Sequence, residues 1–75
     1  MANIHFQQKI ASDELRDTLF FASGTRAEKI KTPEFVTLRV PQFDVKIKHF
    51  KHITVNGDVC RSVAEAKYAI QQLIP

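Results

Sequence analysis

The dipeptide Asn56-Gly57 constrains the fold of this chain more than any other feature of its sequence. Both residues tolerate the positive φ angles that a two-residue type I′ turn requires, and apolar and polar residues alternate on either side of them. The sequence therefore predicts a tight β-hairpin. Its register pairs Val55 with Asp58, Thr54 with Val59, Ile53 with Cys60 and His52 with Arg61.

A helix-start signal follows this hairpin directly. Ser62 and Glu65 have the spacing of a capping box, in which the two side chains bond the free amides of the first helical turn. Apolar residues then recur at the helical spacing, at Val63, Ala66, Ile70 and Leu73. The sequence predicts an amphipathic helix that carries the chain to its C-terminal end.

Two alternating runs, residues 35–40 and 43–48, predict a second hairpin joined through Pro41-Gln42. Proline holds φ near about −65°, which excludes the primed turns and leaves a type I turn open. The resulting register matches apolar with apolar residues on one face and opposes Arg39 with Asp44 on the other. This agreement supports the pairing, because a slip of one residue would disrupt both faces.

The N-terminal third predicts a strand followed by a helix. Apolar residues alternate with polar ones over residues 4–10, which is the pattern of a strand with one buried face. Ser12 is then the expected N-cap of a helix over residues 13–23, which Gly24 ends. Residues 25–33 are basic, show no sustained period and predict a loop.

Together these elements predict one α+β domain over residues 1–75, in the order β-α-β-β-β-α. Its antiparallel sheet would carry two helices packed on one face. The alternation of apolar residues changes phase near Lys48-His49. A bulge there is needed so that the apolar residues before it and after it face the same side of the sheet. A chain of this length buries only about 60% of its unfolded surface, so a deep substrate pocket is difficult to build.

The sequence gives no support for catalysis or for a metal. It contains no nucleophile motif, no phosphate-binding glycine loop and no helical metal-ligand pair. His5, His49, His52 and Cys60 could be metal ligands, but the hairpin register sends His52 and Cys60 to opposite faces. We therefore expect no enzyme, no catalytic residue, no metal and no cofactor.

Cysteine usage and hydropathy give an expectation about location. Cys60 is the only cysteine, so no internal disulfide can form. No signal peptide and no apolar run of about 20 residues is present. These features predict a cytoplasmic protein that makes no membrane contact.

The positive charge is concentrated in the middle of the chain. Residues 26–52 hold seven Lys or Arg against three acids, whereas the chain as a whole has a net charge of +3. A basic sheet face with an exposed aromatic ring suits a polyanion, although lysines also serve to keep a sheet soluble. Phe35 is expected to point outward on this face, in register with Lys48; the alternative is that it packs beneath the second helix. The residues expected to bind a nucleic acid or other partner are Arg26, Lys29, Lys31, Phe35, Arg39, Lys46, Lys48, His49 and Lys51.

Two functions follow from these features. The first is a small binding protein that acts through the basic surface on a nucleic acid or a nucleoprotein complex. The alternative is a regulator or inhibitor that docks on a host protein, or a homodimer, through an apolar patch. The patch would include Phe20, Phe21 and Tyr68, with Leu73 and Ile74 nearby.

The chain as a whole also resembles a class of small proteins. Its size, its pI of about 9.3 and its lack of catalytic motifs are similar to those of compact phage or mobile-element products that bind and block host machinery. This resemblance implies a regulator of the second kind.

Overall fold

The computed structural model describes residues 3–73, which form two helices and five strands. In chain order the elements are α1 (Ile4–Ser23), β1 (Glu28–Lys31), β2 (Val36–Val40), β3 (Phe43–His49), β4 (His52–Val55), β5 (Asp58–Cys60) and α2 (Val63–Gln72). Each strand pairs antiparallel with the next, so the sheet order is β1-β2-β3-β4-β5. The predicted α+β class and antiparallel sheet are confirmed.

The core lies between one face of the sheet and the two helices. Leu15 and Leu19 of α1 and Ile70 of α2 are fully buried against alternate residues of the central strands. Because side chains alternate along a strand, the remaining strand residues face the other way, where no helix lies in the described chain. The sheet therefore has one covered face, which we call the helix side, and one open face, which we call the outer face.

The predicted strand over residues 4–10 is wrong, because this segment is the N-terminal part of α1. The buried positions of α1 include Gln8, Ala11, Ser12 and Leu15, which is helical spacing, whereas Phe6 is 52% exposed. Asn3 rather than Ser12 is the N-cap; its side chain accepts a 2.7 Å hydrogen bond from the backbone N of Phe6. The element order is thus α-β-β-β-β-β-α.

The prediction for the end of α1 is confirmed, whereas the prediction for the segment after it is partly wrong. Gly24 ends the helix as predicted, in a left-handed conformation with φ of 73°. The predicted loop over residues 25–33 is wrong in part, because β1 lies within it and pairs with β2. Four alternating residues at a sheet edge are too few to produce a clear period in the sequence.

Both predicted hairpins have the predicted register. Arg39 lies opposite Asp44 in the first, and a register irregularity between Ile47 and His49 supplies the expected bulge. In the second hairpin Asn56 and Gly57 have φ of 51° and 91°, as a type I′ turn requires. The pairs Val55–Asp58, Thr54–Val59 and Ile53–Cys60 are present.

One predicted pair and one predicted core residue differ from the structure. The predicted pair of His52 with Arg61 is absent, since β5 ends at Cys60; on its other side His52 pairs across the bulge with His49. The helix α2 starts at the predicted capping box, where the Ser62 hydroxyl accepts from the backbone N of Glu65 at 3.0 Å. Leu73, however, lies beyond this helix and is exposed. Within residues 3–73, neither helix is long and apolar enough to cross a membrane.

Candidate functional site

A continuous row of side chains crosses the outer face of the sheet. The register places Ile30, Thr37, Lys46, Thr54 and Val59 next to one another, one from each strand. Lys46 therefore stands at the centre of the face, on the middle strand, between two threonines. The two ends of the row are apolar. Because its neighbours in the row carry no charge, the ammonium of Lys46 has no anionic partner within the row and can attract an anionic group.

A shallow depression of about 260 Å³ lies beside this row. The ring of Phe35 forms part of its wall, and the ammonium of Lys46 lies 5.4 Å from the ring centroid, within the range of a cation–π contact. The lining residues are Glu34, Phe35, Lys46, Lys48, His52 and Thr54. The depression combines one aromatic ring with two lysines and opens to solvent.

The turn before β2 fixes the position of Phe35. The Thr32 hydroxyl donates to the carbonyl oxygen of Phe35 at 2.9 Å and accepts from the backbone N of Phe35 at 3.1 Å. The backbone N of Thr32 donates to that same carbonyl at 3.0 Å. Three hydrogen bonds thus close the turn and fix the backbone from which the Phe35 ring projects before any ligand binds.

Gln8 supports the depression from the helix side. Its side chain is only 3% exposed, and its Nε2 donates at 3.1 Å to the carbonyl oxygens of both Glu34 and Lys48. Both residues line the depression, Glu34 from the β1–β2 turn and Lys48 from β3. One buried amide therefore ties these two segments to each other.

The structure brings together three of the nine predicted binding residues, Phe35, Lys46 and Lys48. Arg39 is exposed in a different row of the outer face, between Glu28 and Asp44. Its predicted partner Asp44 is opposite in register, but no ion pair joins the two within the described chain.

The other predicted binding residues lie elsewhere. His49, the last residue of β3, and Lys51 lie at the β3–β4 turn, where the backbone N of Lys51 donates to Nδ1 of His49 at 3.1 Å. Lys29 and Lys31 pair with Leu38 and Val36, so they lie on the helix side of the sheet edge. Arg26 lines a separate depression with Asp13, Arg16, Asp17 and Phe20.

Sequence reasoning missed four residues at the depression and its support. His52 and Thr54 share the outward phase of β4, so the Asn56-Gly57 register could have placed them on this face. One sequence feature marked Gln8, which is the polar residue among the alternating apolar positions of residues 4–10. Glu34 gave no signal, because it lies in a turn with no period.

The proposed apolar patch is not one surface depression. Phe20 and Phe21 are exposed at the end of α1, with ring centroids 6.2 Å apart. Tyr68 is 64% exposed on α2 and lines another depression with Val59 of β5. Ile74, which was expected near them, lies outside the described residues.

Cys60 and the histidines occupy different environments. Cys60 is buried on the helix side, whereas His52 is exposed on the outer face. Burial raises the pKa of the Cys60 thiol, and the charges of Glu65 and Asp58 raise this pKa further. A buried thiol held in its protonated form is a poor nucleophile.

Comparisons of the chain with protein-family models, with curated proteins and with solved structures found no match.

Proposed function

We propose that this protein binds single-stranded nucleic acid on the outer face of its sheet. The observation that carries the proposal is the Phe35 ring in an open depression that Lys46 and Lys48 also line. In this proposal Phe35 stacks on an unpaired base, and the two lysines bind the phosphates on either side of it. A nucleoprotein complex that exposes such a strand in the cytoplasm would be an equivalent target.

The type of surface favours a single strand over a duplex. An aromatic ring can stack only on a base that is not already stacked within a helix, and every base offers a flat face for such stacking. Reading the major groove requires a protruding helix or ribbon, whereas here both helices lie on the other side of the sheet. The outer face, which no helix of the described chain covers, suits splayed bases.

Lys46 is already placed to take part in binding. Its ammonium lies over the Phe35 ring, where it occupies the position that a base would take. A stacking base displaces the ammonium, which then reaches the adjacent phosphate. Glu34 is the acid among the lining residues and reduces the positive potential of the depression.

Fluorescence anisotropy with labelled single-stranded RNA and DNA at low salt tests the proposal. Phe35→Ala should weaken binding about fivefold or more, as the loss of a stacked base would. Glu34→Gln should strengthen binding, because it removes a negative charge without a change in shape. Lys67→Ala is the matched charge control on α2. The proposal fails if neither nucleic acid binds, or if Phe35→Ala and Lys67→Ala have equal effects.

The free edge of β5 favours a second function, that of a protein-binding regulator. Val59 is 57% exposed on this edge strand, and a depression of about 520 Å³ runs from it to Tyr68. The opposite edge strand, β1, carries lysines, which discourage strand pairing. Asp58 and Glu65 also line the depression, so the complementary occupant is an extended partner segment with basic side chains.

A pull-down after nuclease treatment tests this second function. A partner that docks on β5 should be lost with Val59→Lys and retained with Phe35→Ala. If nuclease removes every captured protein, or if Val59→Lys changes nothing, the regulator hypothesis fails. A self-associating protein would show a concentration-dependent mass in sedimentation, also sensitive to Val59→Lys.

A further inference from the structure

A second basic depression lies on the helix side of the sheet, between α1 and the edge strand β1. Its volume is about 420 Å³, within the range of ligand sites. Its charged and aromatic lining consists of His5, Phe6, Lys9, Lys29 and Lys31. No carboxylate is among the residues that the structure places around it. It therefore combines an aromatic ring with lysines, as the depression at Phe35 does.

The register explains why these lysines converge. Lys29 pairs with Leu38 and Lys31 with Val36, so both side chains point to the helix side. The helix α1 packs mainly over β2 and β3 and leaves the edge strand β1 beyond its cover. Phe6, at 52% exposure, adds an apolar group that edge protection by lysine does not require.

The two depressions adjoin at one end of the sheet. Phe35 and Val36 are consecutive residues, and Phe35 lines the depression on the outer face while Val36 lines the one on the helix side. The turn of residues 32–35 separates them. Gln8 connects them as well, because it lines the second depression and bonds two backbone carbonyls at the walls of the first.

We infer that a bound single strand passes from the outer face around the turn of residues 32–35 and into the depression at Phe6. There Lys9, Lys29 and Lys31 bind phosphates, and Phe6 stacks on a second base. The inference rests on the proposed function and adds a path and a site size to it. Such a path makes the binding site longer than the outer face alone; for comparison, one OB fold that binds single strands covers about 4–16 nucleotides.

Oligonucleotides of two lengths test this path. Binding of oligouridylates of about 4 and about 12 nucleotides is measured for the wild type, Phe6→Ala and the double variant Lys29→Ala/Lys31→Ala. We expect both variants to weaken the long strand about fivefold or more and to leave the short strand unchanged, because the short strand ends on the outer face. A longer strand also binds more tightly because it can bind in several overlapping positions. The test is therefore the loss of affinity in each variant relative to the wild type at the same length, and not the difference between the two lengths.

Three results would overturn the path. Equal losses for both lengths would place the depression at Phe6 within a single short site. Unchanged affinity of both variants for both lengths would show that the strand stays on the outer face. In that case, a loss of affinity in Phe35→Ala would still support the proposed function. If neither length binds to the wild type, the proposed function fails together with the path. Lys67→Ala serves as the charge control, and thermal melts confirm that each variant is folded.

Discussion

Asn56 and Asp44 are joined by two reciprocal hydrogen bonds. The backbone N of Asn56 donates to the carbonyl oxygen of Asp44 at 2.9 Å, and the backbone N of Asp44 donates to Oδ1 of Asn56 at 2.8 Å. Nδ2 of Asn56 also donates to the carbonyl oxygen of Gln42 at 3.3 Å. One side chain thus ties the β4–β5 turn to the β2–β3 turn and fixes that end of the sheet.

Replacement of Asn56 should destabilise the protein in a graded way. Asn56→Ala loses both side-chain hydrogen bonds. It also places at a φ of 51° an alanine, whose side chain cannot form a local hydrogen bond. We therefore expect the free energy of unfolding to fall by about 1–3 kcal/mol. Asn56→Gly loses the same bonds but adopts this φ freely, so its loss should be smaller. Urea denaturation measures both. Equal stability of all three proteins would show that the side chain does not hold the two turns together.

The sheet was predictable where turn chemistry and alternation agreed. Asn56-Gly57 and Pro41-Gln42 each allow few turn geometries, and each allowed geometry matches apolar residues across the hairpin. Both registers and the bulge before His49 follow from that agreement. Sequence information was sufficient there because two independent local constraints gave the same answer.

The N-terminal segment was not predictable in the same way, because two periods fit it. Ile4, Phe6 and Ile10 alternate as in a strand, yet the helix buries Gln8 and leaves Phe6 half exposed. The reason is a long-range one. Gln8 bonds the carbonyl oxygens of Glu34 and Lys48, which are distant in the chain and cannot be identified from local pattern.

The candidate site was predictable only in its central part. The hairpin register placed Lys46 and Lys48 on the outer face together with Phe35. Arg26 and Lys31 were grouped with them because they are close in sequence, but the edge strand β1 turns Lys31 to the helix side. A count of charges along the chain does not reveal that β1 exists. It therefore cannot show to which face of that strand each lysine points.

Gln8 should affect both stability and binding. Gln8→Leu keeps the volume of the side chain approximately but leaves the carbonyl oxygens of Glu34 and Lys48 without this donor, so we expect a loss of about 2–4 kcal/mol. The segments of Glu34 and Lys48, which line the outer depression, should also be held together less firmly, so nucleic-acid binding should weaken at temperatures where the variant is folded. Thermal melts and anisotropy measure the two effects. Gln71→Leu, at an exposed position of α2, is the control and should change neither.

Ser12 should be a site where substitution stabilises the protein. Its side chain is fully buried in α1, and within the described chain its hydroxyl has no hydrogen-bond partner. Ser12→Ala removes the desolvated hydroxyl and raises helix propensity, so a gain of about 1 kcal/mol is expected. Ser23→Ala is a suitable contrast, because the Ser23 hydroxyl donates to the carbonyl oxygen of Leu19 at 2.7 Å. A loss of stability in Ser12→Ala would show that the hydroxyl is satisfied in solution.

Lys46 and Lys48 should set the salt dependence of binding. Each phosphate that a lysine neutralises in a single strand contributes about 0.7 to the slope of log affinity against log salt. Lys46→Ala and Lys48→Ala should therefore each reduce this slope by about 0.7, whereas Phe35→Ala should lower affinity with little change in slope. A titration of sodium chloride measures the slopes. Unchanged slopes in both lysine variants would remove these residues from the phosphate contacts.

Cys60 should make stability fall at alkaline pH. Because its folded pKa is raised above the ordinary thiol value, the native state holds the proton more tightly than the unfolded chain does. This contribution is fully present below the unfolded pKa of about 8.5, and it is lost as the pH rises through the raised folded pKa. Cys60→Ala lacks it, so the difference in unfolding free energy between wild type and variant should shrink from about pH 7.5 to about pH 10. Urea denaturation of both proteins at the two pH values measures this, since all other groups titrate alike in the pair. A difference that stays constant over this range would mean that the thiol has the same pKa in the folded and unfolded states.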